Sequence, residues 1–316
     1  MVITGRSLVQ VPWFSVSGFG AHIKATAKTV IIQKDAHVQE IPLGRFNHLL
    51  VMGGHTLHTA AVAHLLRAGI FISFFEADGE PVGFLRPFGA TGDQGIQQAQ
   101  HAAFGHNYAM AFARGSLLSK LLFIEQFEQE RGKQLFYEGE LEILRNGLSE
   151  LEYLIKIDEI RRMHRLLSDM YYEILSRIFP PELGFRRRTS RPYQDVINTM
   201  MAYGYGMLFG NTGMAIIGAH LDPDHGFLFQ GPKGLVYDMM EPFKSLMIDK
   251  VIISLIADGI TKDDFECGSS RCILSDDLMR RLTQLFHNSI DQEKIDTQVV
   301  VFRDALRDGA DFYMVR

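Results

Sequence analysis

The chain has 316 residues, of which 47% are hydrophobic and 22% are charged, and its formal net charge is −5. This composition is ordinary for a soluble globular protein with a substantial core, and the beginning of the sequence lacks the basic start and apolar run of a secretion signal. Two cysteines, Cys267 and Cys272, exclude a fold built on disulfides and do not indicate a zinc site, so we expect reduced thiols in a cytoplasmic protein.

Residues 8–88 predict strands and one short helix. Segments such as "WFSVSGFGAHIKATAKTVIIQ" alternate around small turn residues, and "EADGEP" is a typical hairpin turn. The stretch "TLHTAAVAHLLRAG" predicts a helix with Thr56 as its N-cap and Gly69 at its end. We therefore expect an α+β fold, with a small β-rich domain at 1–90, a linker at 91–98 and a larger all-helical domain at 99–316.

The helical part has one unusual segment. Helices are expected near 134–147, 149–178, 192–219, 236–257, 275–289 and 293–307. No residue between Asp195 and Asp222 is charged, and the Gly-rich, Asn-containing sequence favours a buried central helix over a membrane span. Ala202, Gly206 and Gly210 recur there every four residues, which lets another helix approach closely.

Basic residues concentrate in one region of an otherwise acidic chain. Between Arg161 and Arg191 there are eight arginines and three acids, whereas residues 201–316 carry eleven Lys or Arg and seventeen Asp or Glu. Such an asymmetry indicates a docking surface for a polyanion. The alternative is a solvated helix face with many ion pairs.

The stretch "GFLFQGPKGLVYDMMEPFK" (226–244) predicts a short strand, a Gly-rich turn and a helix with two carboxylates. Asp238 and Glu241 are three residues apart and share one helix face. Paired carboxylates can hold Mg²⁺ or Mn²⁺ for chemistry on a phosphodiester. The plainer explanation is that acids in the first turn of a helix are favoured by its dipole.

Several blocks of the sequence together resemble the CRISPR-associated Cas1 family, the integrases that insert spacers into CRISPR arrays. They are "GFGAHIKATAKTVIIQKDAHVQEIPL", "VMGGHTLHTAAVAHLLRAGIFISFFEADGEPVGFLRP", "IFPPELGFRRRTSRPYQDVINTMMAYGYGMLFG" and "GLVYDMMEPFKSLMIDKVI", in the expected order. The resemblance implies a small N-terminal β-sandwich domain, a larger helical domain and dimerisation largely through the sandwich. It also implies binding to DNA, often together with Cas2, and a divalent metal held by a Glu, a His and an acidic residue.

Compared with the family pattern, two of the three metal-ligand positions are altered. In "IRRMHRLLSDMYY", His164 occupies the position of the family Glu, and in "GFLF", Phe229 occupies the position of the family His. Only "DMME" keeps the third ligand, Glu241, with Asp238 beside it. Phenylalanine has no lone pair, and imidazole suits Zn²⁺ or Mn²⁺ better than Mg²⁺. We therefore expect a degenerate site without a cofactor, or Mg²⁺ or Mn²⁺ if a turn at "DPDHG" lets His225 rebuild it.

The arginines expected to bind DNA include those of the connection that resembles the basic loop of the family and of a stripe that extends it along the preceding helix. They lie in the connection "FRRRTSRP" and on the helix that carries His164, and they are Arg161, Arg162, Arg165, Arg186, Arg187, Arg188 and Arg191. Arginine–phosphate contacts give salt-dependent and largely sequence-independent affinity, so DNA binding can persist after catalysis is lost.

These features lead to one main hypothesis and two alternatives. The main hypothesis is a homodimeric Cas1-like protein of spacer acquisition that binds duplex or branched DNA as a scaffold or accessory. Its expected partner is Cas2 or an active paralogue, and no association with a membrane is expected. The first alternative is an active metal-dependent endonuclease or integrase that uses Glu241, Asp238 and His164 in a rewired site. The second is a protein-interaction module that does not bind DNA.

Overall fold

The computed structural model of the protein describes residues 11–90, 94–132, 134–268 and 270–314. The expectations that concern residues 1–10 and 91–93 lie outside this part of the chain. The β-strands of the N-terminal half are β1 (Trp13–Ser17), β2 (His22–Ala25), β3 (Thr29–Lys34), β4 (His37–Pro42), β5 (His48–Met52), β6 (Thr56–Leu57), β7 (Phe71–Phe75) and β8 (Pro81–Leu85), with helix α1 (Thr59–Arg67) between β6 and β7.

The N-terminal half is a sandwich of two four-stranded sheets. The first sheet has the order β1-β5-β7-β8 and the second the order β4-β3-β2-β6. Alternation along β5 sends Leu49 and Val51 into the core between the sheets, and sends Leu50 to the opposite face, where it joins the core of the helical half. The first sheet is therefore covered on both faces. The predicted turn at "EADGEP" is confirmed, because β7 and β8 pair in antiparallel fashion around it.

The start of helix α1 differs from the sequence-based prediction. Thr56 is part of strand β6, which pairs with β2 in parallel, and so it is not the helix cap. The N-cap is His58, whose ring nitrogen Nδ1 accepts a hydrogen bond from the Ala60 amide at 3.3 Å. Because Thr56 and Leu57 pair with β2, helix α1 begins later than the local sequence pattern indicates.

The C-terminal half consists mainly of helices. They are α2 (Gln94–Ala102), α3 (Gly105–Arg131), α4 (Glu140–Glu150), α5 (Ile157–Ser176), α6 (Val196–Gly218), α7 (Gly234–Met240), α8 (Lys250–Asp258), α9 (Asp276–Ser289) and α10 (Gln292–Asp308). The α+β class, with a β-sandwich followed by a helical region, is confirmed. Helix α2 begins within the segment 91–98 that the sequence assigns to a linker.

Helix α6 is the buried central helix that its charge-free sequence predicts. Most of its residues are buried, and Asp195 caps its N-terminus by accepting a hydrogen bond from the Asn198 amide at 2.7 Å. Within the residues that the structure describes, no helix is long and apolar enough to cross a membrane.

The predicted helix at 236–257 is interrupted. Helix α7 ends at Met240 and is followed by a 3₁₀ turn (Glu241–Phe243) and a π-helical turn (Ser245–Asp249) before α8 begins. Pro242 explains the break, because proline has no amide proton for the α-helical hydrogen bond and its ring disfavours a regular helix. The interruption places Glu241 at the junction between two helical segments.

A short β-hairpin adds two strands to the helical half. Strands β9 (Phe265–Cys267) and β10 (Cys272–Leu274) pair in antiparallel fashion. Cys267 and Cys272 face each other across the hairpin and form a disulfide, so the expectation of two reduced thiols is wrong. Strand pairing brings the two residues together, a contact that four intervening residues do not reveal in the sequence.

The glycine-rich face of α6 receives a turn of the sandwich and not another helix. The turn between β7 and β8 sits on Gly210, where an added Cβ would lie 2.1 Å from the carbonyl oxygen of Asp78. Gly79 also approaches Gly210 closely, since a Cβ added at Gly79 would lie 2.4 Å from the Gly210 Cα. The close approach that the sequence predicts is present, but its partner is a β-turn of the other half.

Candidate functional site

A cleft of about 890 Å³ lies between the β7–β8 turn, helices α5 and α6, and residues 228–244, which include the end of the α6–α7 connection, α7 and the turns after it. Its lining includes seven basic side chains and three acidic ones, so the cleft is positively charged. Six aromatic side chains line it as well: Tyr172, Tyr193, Tyr205, Phe209, Phe229 and Tyr237. Such a lining suits an anionic ligand with flat rings, because cations hold phosphates and aromatic faces stack on bases.

At the floor of the cleft, Glu241 is bound by two lysines. One carboxylate oxygen, Oε2, accepts a hydrogen bond from Lys120 Nζ at 2.9 Å, and the other oxygen forms an ion pair with Lys244. Both Glu241 and Lys120 are almost completely buried. We call Glu241, Lys120 and Lys244 the lysine–glutamate cluster.

Lys120 donates to three oxygens from three separate elements. Besides Glu241, its acceptors are Ser116 Oγ at 2.8 Å, one turn earlier on α3, and Ser168 Oγ on α5 at 3.1 Å. A lysine ammonium has three protons, so its hydrogen-bonding capacity is fully used. The pair is therefore satisfied despite its burial, which is the condition for a buried charge to be tolerated.

His164 lies beside the cluster and is neutral. Its Nε2 is 2.9 Å from Ser116 Oγ, and its side chain is buried. Burial, reinforced by the positive charge of Lys120, lowers the pKa of His164 to about 3. Burial alone would raise the pKa of Glu241, but Lys120 and Lys244 more than offset this and hold it well below the usual carboxyl range. Burial lowers the pKa of Lys120, and the Glu241 carboxylate opposes that shift.

A second buried carboxylate lies behind the cluster. Asp249 accepts hydrogen bonds from the hydroxyls of Tyr171 at 2.7 Å and Tyr205 at 2.6 Å. Burial raises the pKa of Asp249 to about 6, although both hydroxyl donors oppose the shift. Asp249 thus joins α5, which carries Tyr171, to α6, which carries Tyr205, and Tyr205 also lines the cleft.

Asp238 organises the loop before α7. Its carboxylate accepts three backbone hydrogen bonds, from the amides of Phe227 at 2.6 Å, Leu228 at 3.1 Å and Phe229 at 2.7 Å. Residues 226–229 are consequently an irregular loop, and the strand expected there is absent from the described chain. Without a neighbouring strand, these amides find their acceptor in one buried side chain, and burial raises the pKa of Asp238 to about 7 despite these bonds.

The side chains at the floor of the cleft do not offer a set of free ligands for a divalent cation. Phe229 offers only its ring, which lies edge-on to the His164 ring at 5.8 Å. Both Glu241 oxygens bind ammonium groups, and Asp238 binds backbone amides. His225, the residue considered for a rebuilt site, packs against His101 with ring centroids 4.1 Å apart. Over the described residues, no group of three or more His, Cys, Asp or Glu is arranged to hold a metal ion.

The arginines predicted to bind DNA are divided between two surfaces. Arg161, Arg165, Arg188 and Arg191 line the cleft, whereas Arg186 and Arg187 line a separate cavity of about 490 Å³ near Cys267. Arg162 is exposed on α5. Arg161 has an additional structural role, since its guanidinium donates to the carbonyl oxygens of Leu228 and Phe227 at 2.8 and 2.9 Å.

Arg188 is held in place by α6. Its guanidinium donates to the Asn198 side-chain oxygen at 2.6 Å and lies over the Tyr193 ring, 4.8 Å from the centroid. Asn198 is fully buried and also bonds the Thr189 amide and the Arg187 carbonyl, at 3.1 and 3.0 Å. The basic connection before α6 is therefore an ordered wall of the cleft.

Sequence reasoning missed three lysines of the cleft: Lys120, Lys233 and Lys244. Lys120 lies on the apolar face of α3, with Leu117 three residues before it and Ile124 four residues after it, and this spacing was the available signal of a buried cation. Lys233 forms an ion pair with Glu80 of the β7–β8 turn. Its partner is far away in the sequence, so no local pattern identifies that contact.

Comparison with known proteins gives consistent results. The sequence profile of the family described as "CRISPR associated protein Cas1" matches residues 14–288. A protein from Methanospirillum hungatei, described as "Putative CRISPR-associated endonuclease Cas1 2", is 41% identical over 302 residues, which cover 95% of this chain and 100% of that relative.

Solved structures share the fold at lower sequence identity. A chain of a "Partial Cas6-RT-Cas1--Cas2 complex" has a TM-score of 0.79 at 19% identity, covering 96% of this chain and 98% of that chain. A casposase bound to its integration product has a TM-score of 0.78 at 21% identity, covering 95% of this chain and 97% of that chain. Both comparisons extend the likeness over the sandwich and the helical half together.

Proposed function

The chain belongs to the CRISPR-associated Cas1 family, and from this membership we propose that it binds DNA in CRISPR spacer acquisition as a scaffold or accessory protein with a degenerate metal site. The observation that carries the proposal is the cleft. Its seven basic and six aromatic side chains suit nucleic acid, while its floor lacks a free carboxylate for a metal among the described residues.

The altered ligand positions support the absence of metal chemistry. Phe229 and His164 contact each other through their rings, and both oxygens of Glu241 bind lysines. An active metal-dependent enzyme would need at least one of these groups to turn away from its present partner.

We propose that the protein is a homodimer and that Cas2 is a partner. Strand β8 is exposed along its whole length at the edge of its sheet, with Val82 64% and Phe84 65% exposed. An apolar edge strand favours pairing with another chain. The structure titled "Partial Cas6-RT-Cas1--Cas2 complex" supports Cas2 as the partner to test, by co-elution with the purified protein. Light scattering of Phe84→Lys tests the dimer, which should dissociate.

DNA binding is tested by titrating the protein into duplex, forked and flapped DNA at several salt concentrations. Affinity should fall steeply with salt, and Arg165→Ala and Arg191→Ala should each reduce the logarithmic salt slope by about 1. Arg280→Ala is the matched control, since Arg280 is an exposed arginine that pairs with Asp277 on α9. No binding at low salt would favour the interaction module instead.

Catalysis is tested with the same DNA in Mg²⁺ and in Mn²⁺, scoring both cleavage and strand transfer. We expect neither product above background. Robust metal-dependent product that disappears in Glu241→Ala would refute the degenerate site and leave an active enzyme.

A further inference from the structure

The lysine–glutamate cluster is built like an occupied cation site. Lys120 Nζ is surrounded by Ser116 Oγ, Ser168 Oγ and Glu241 Oε2 at 2.8, 3.1 and 2.9 Å, and its side chain is only 3% exposed. The neutral His164 ring contacts the same hydroxyl, with its Nε2 at 2.9 Å from Ser116 Oγ. Three oxygens, contributed by α3, α5 and the turn after α7, thus converge on one ammonium group, and the His164 nitrogen hydrogen-bonds one of them.

The charges at this site equal those of a divalent cation on a carboxylate. Lys120 and Lys244 each bring one positive charge to the single negative charge of Glu241. The cluster therefore keeps a net charge of +1 beneath the cleft, which is also the net charge of one divalent cation on one carboxylate. An incoming metal ion would meet two ammonium groups and would find both carboxylate oxygens in use.

We infer that Lys120 is a built-in cation that takes the place of a divalent metal beside Glu241 and His164, so that the cleft excludes metals and holds its anionic ligand without one. The exclusion of metal is a property of the chain alone, whereas the identity of the anionic ligand as DNA rests on the proposed function. The simpler explanation is an ordinary buried ion pair that only joins the helices.

The two explanations differ in what remains when Lys120 is shortened. Lys120→Ala removes the ammonium group and leaves Ser116, Ser168, Glu241 and His164 around the vacated volume. If these groups form a cation site, the variant should take up an added cation. If the pair only joins helices, the variant should be destabilised without gaining a cation.

Uptake of Mn²⁺ can be measured directly, because the electron paramagnetic resonance signal of free Mn²⁺ is lost on binding. Wild-type protein should bind no Mn²⁺ at this site up to about 1 mM, and Lys120→Ala should bind one Mn²⁺ per chain at least about tenfold more tightly. Glu241→Gln in the Lys120→Ala background should abolish that uptake, and Lys262→Ala, a change at an exposed lysine, should behave as wild type. Ammonium chloride, but not sodium chloride, should raise the melting temperature of Lys120→Ala.

Two results would overturn the inference: Mn²⁺ bound by the wild type and lost in Glu241→Gln, or a folded Lys120→Ala that takes up neither Mn²⁺ nor ammonium. A Lys120→Ala that does not fold with either cation present counts as the second result, because the vacated volume then accepts no replacement cation. Because these measurements contain no DNA, they can succeed even if the DNA-binding proposal fails. Where DNA binds, replacing Mg²⁺ by EDTA at constant ionic strength should not weaken the wild-type affinity by more than about twofold.

Discussion

The contact between the β7–β8 turn and α6 leads to a sharp prediction from two glycines one helical turn apart. Gly210→Ala would place a Cβ 2.1 Å from the Asp78 carbonyl oxygen, whereas an ordinary contact is 3.4–4 Å. The turn must therefore move by more than 1 Å. At Gly206, by contrast, a Cβ meets no heavy atom of the described residues within 4 Å.

The two substitutions share the same gain and differ in the clash. Alanine improves helix propensity by about 1 kcal/mol at either position. Forcing a methyl group against fixed backbone costs about 3 kcal/mol, at the upper end for overpacking. Gly206→Ala should therefore stabilise the protein by about 1 kcal/mol, and Gly210→Ala should destabilise it by about 2 kcal/mol, with the Lys233–Glu80 ion pair disturbed as well.

Urea unfolding followed by circular dichroism and by tryptophan emission measures both effects. Trp13 is the only tryptophan of the sequence and packs on α6, where a Cβ at Gly218 would lie 2.7 Å from its ring. Its emission therefore reports the contact between the two halves and should shift to the red in Gly210→Ala. Equal stability of the two variants with unchanged emission would refute the close contact.

Three other predictions concern buried polar groups, all measured by urea unfolding. Asp238→Asn replaces an acceptor of three amides by a group that is partly a donor, so stability should fall by about 2 kcal/mol; an unchanged midpoint would contradict the role of Asp238 in the loop. Asn198→Ala removes the side-chain oxygen that accepts from both the Arg188 guanidinium and the Thr189 amide, so stability should fall by about 1–3 kcal/mol. DNA binding should weaken as well, because Arg188 loses the contact that holds it at the cleft. Asn211→Ala, a change on the same helix, should leave DNA binding intact. Burial raises the pKa of Asp296 to about 7, so the folded state holds the proton more tightly than the unfolded state and stability falls as pH rises from about 4 to 7. Asp296→Asn should remove up to about 4 kcal/mol of that decline. Parallel pH profiles of the two proteins would contradict the prediction.

The sequence predicted those elements whose structure is determined by residues within the element itself. The charge-free segment after Asp195 predicted a buried helix, and "EADGEP" predicted the β7–β8 turn. The helix break at Pro242 could also have been anticipated, because the cause lies in one residue.

The elements that were mispredicted depend on distant partners. Residues 226–229 have the composition of a strand, but Asp238 supplies the acceptors that a neighbouring strand would have supplied. Thr56 could cap a helix, but strand β2 recruits it into a sheet. Tertiary hydrogen bonding overrides propensity in both cases.

The candidate site shows the same limit. The family resemblance identified His164, Phe229 and Glu241, and these three positions do lie together at the cleft floor. The resemblance did not identify Lys120, whose acceptors Ser168 and Glu241 are 48 and 121 residues away. A lysine on an apolar helix face signals a buried partner without saying which one.

The β7–β8 turn also determines how this protein can be dissected. Glu80 belongs to the sandwich yet lines the cleft, and its pairing with Lys233 connects the turn to the loop before α7. A fragment containing only the helical half would lack one rim of its own binding surface. Exchanging the N-terminal half between relatives would in turn change part of the cleft's shape and charge, because Glu80 and its turn would be exchanged with it.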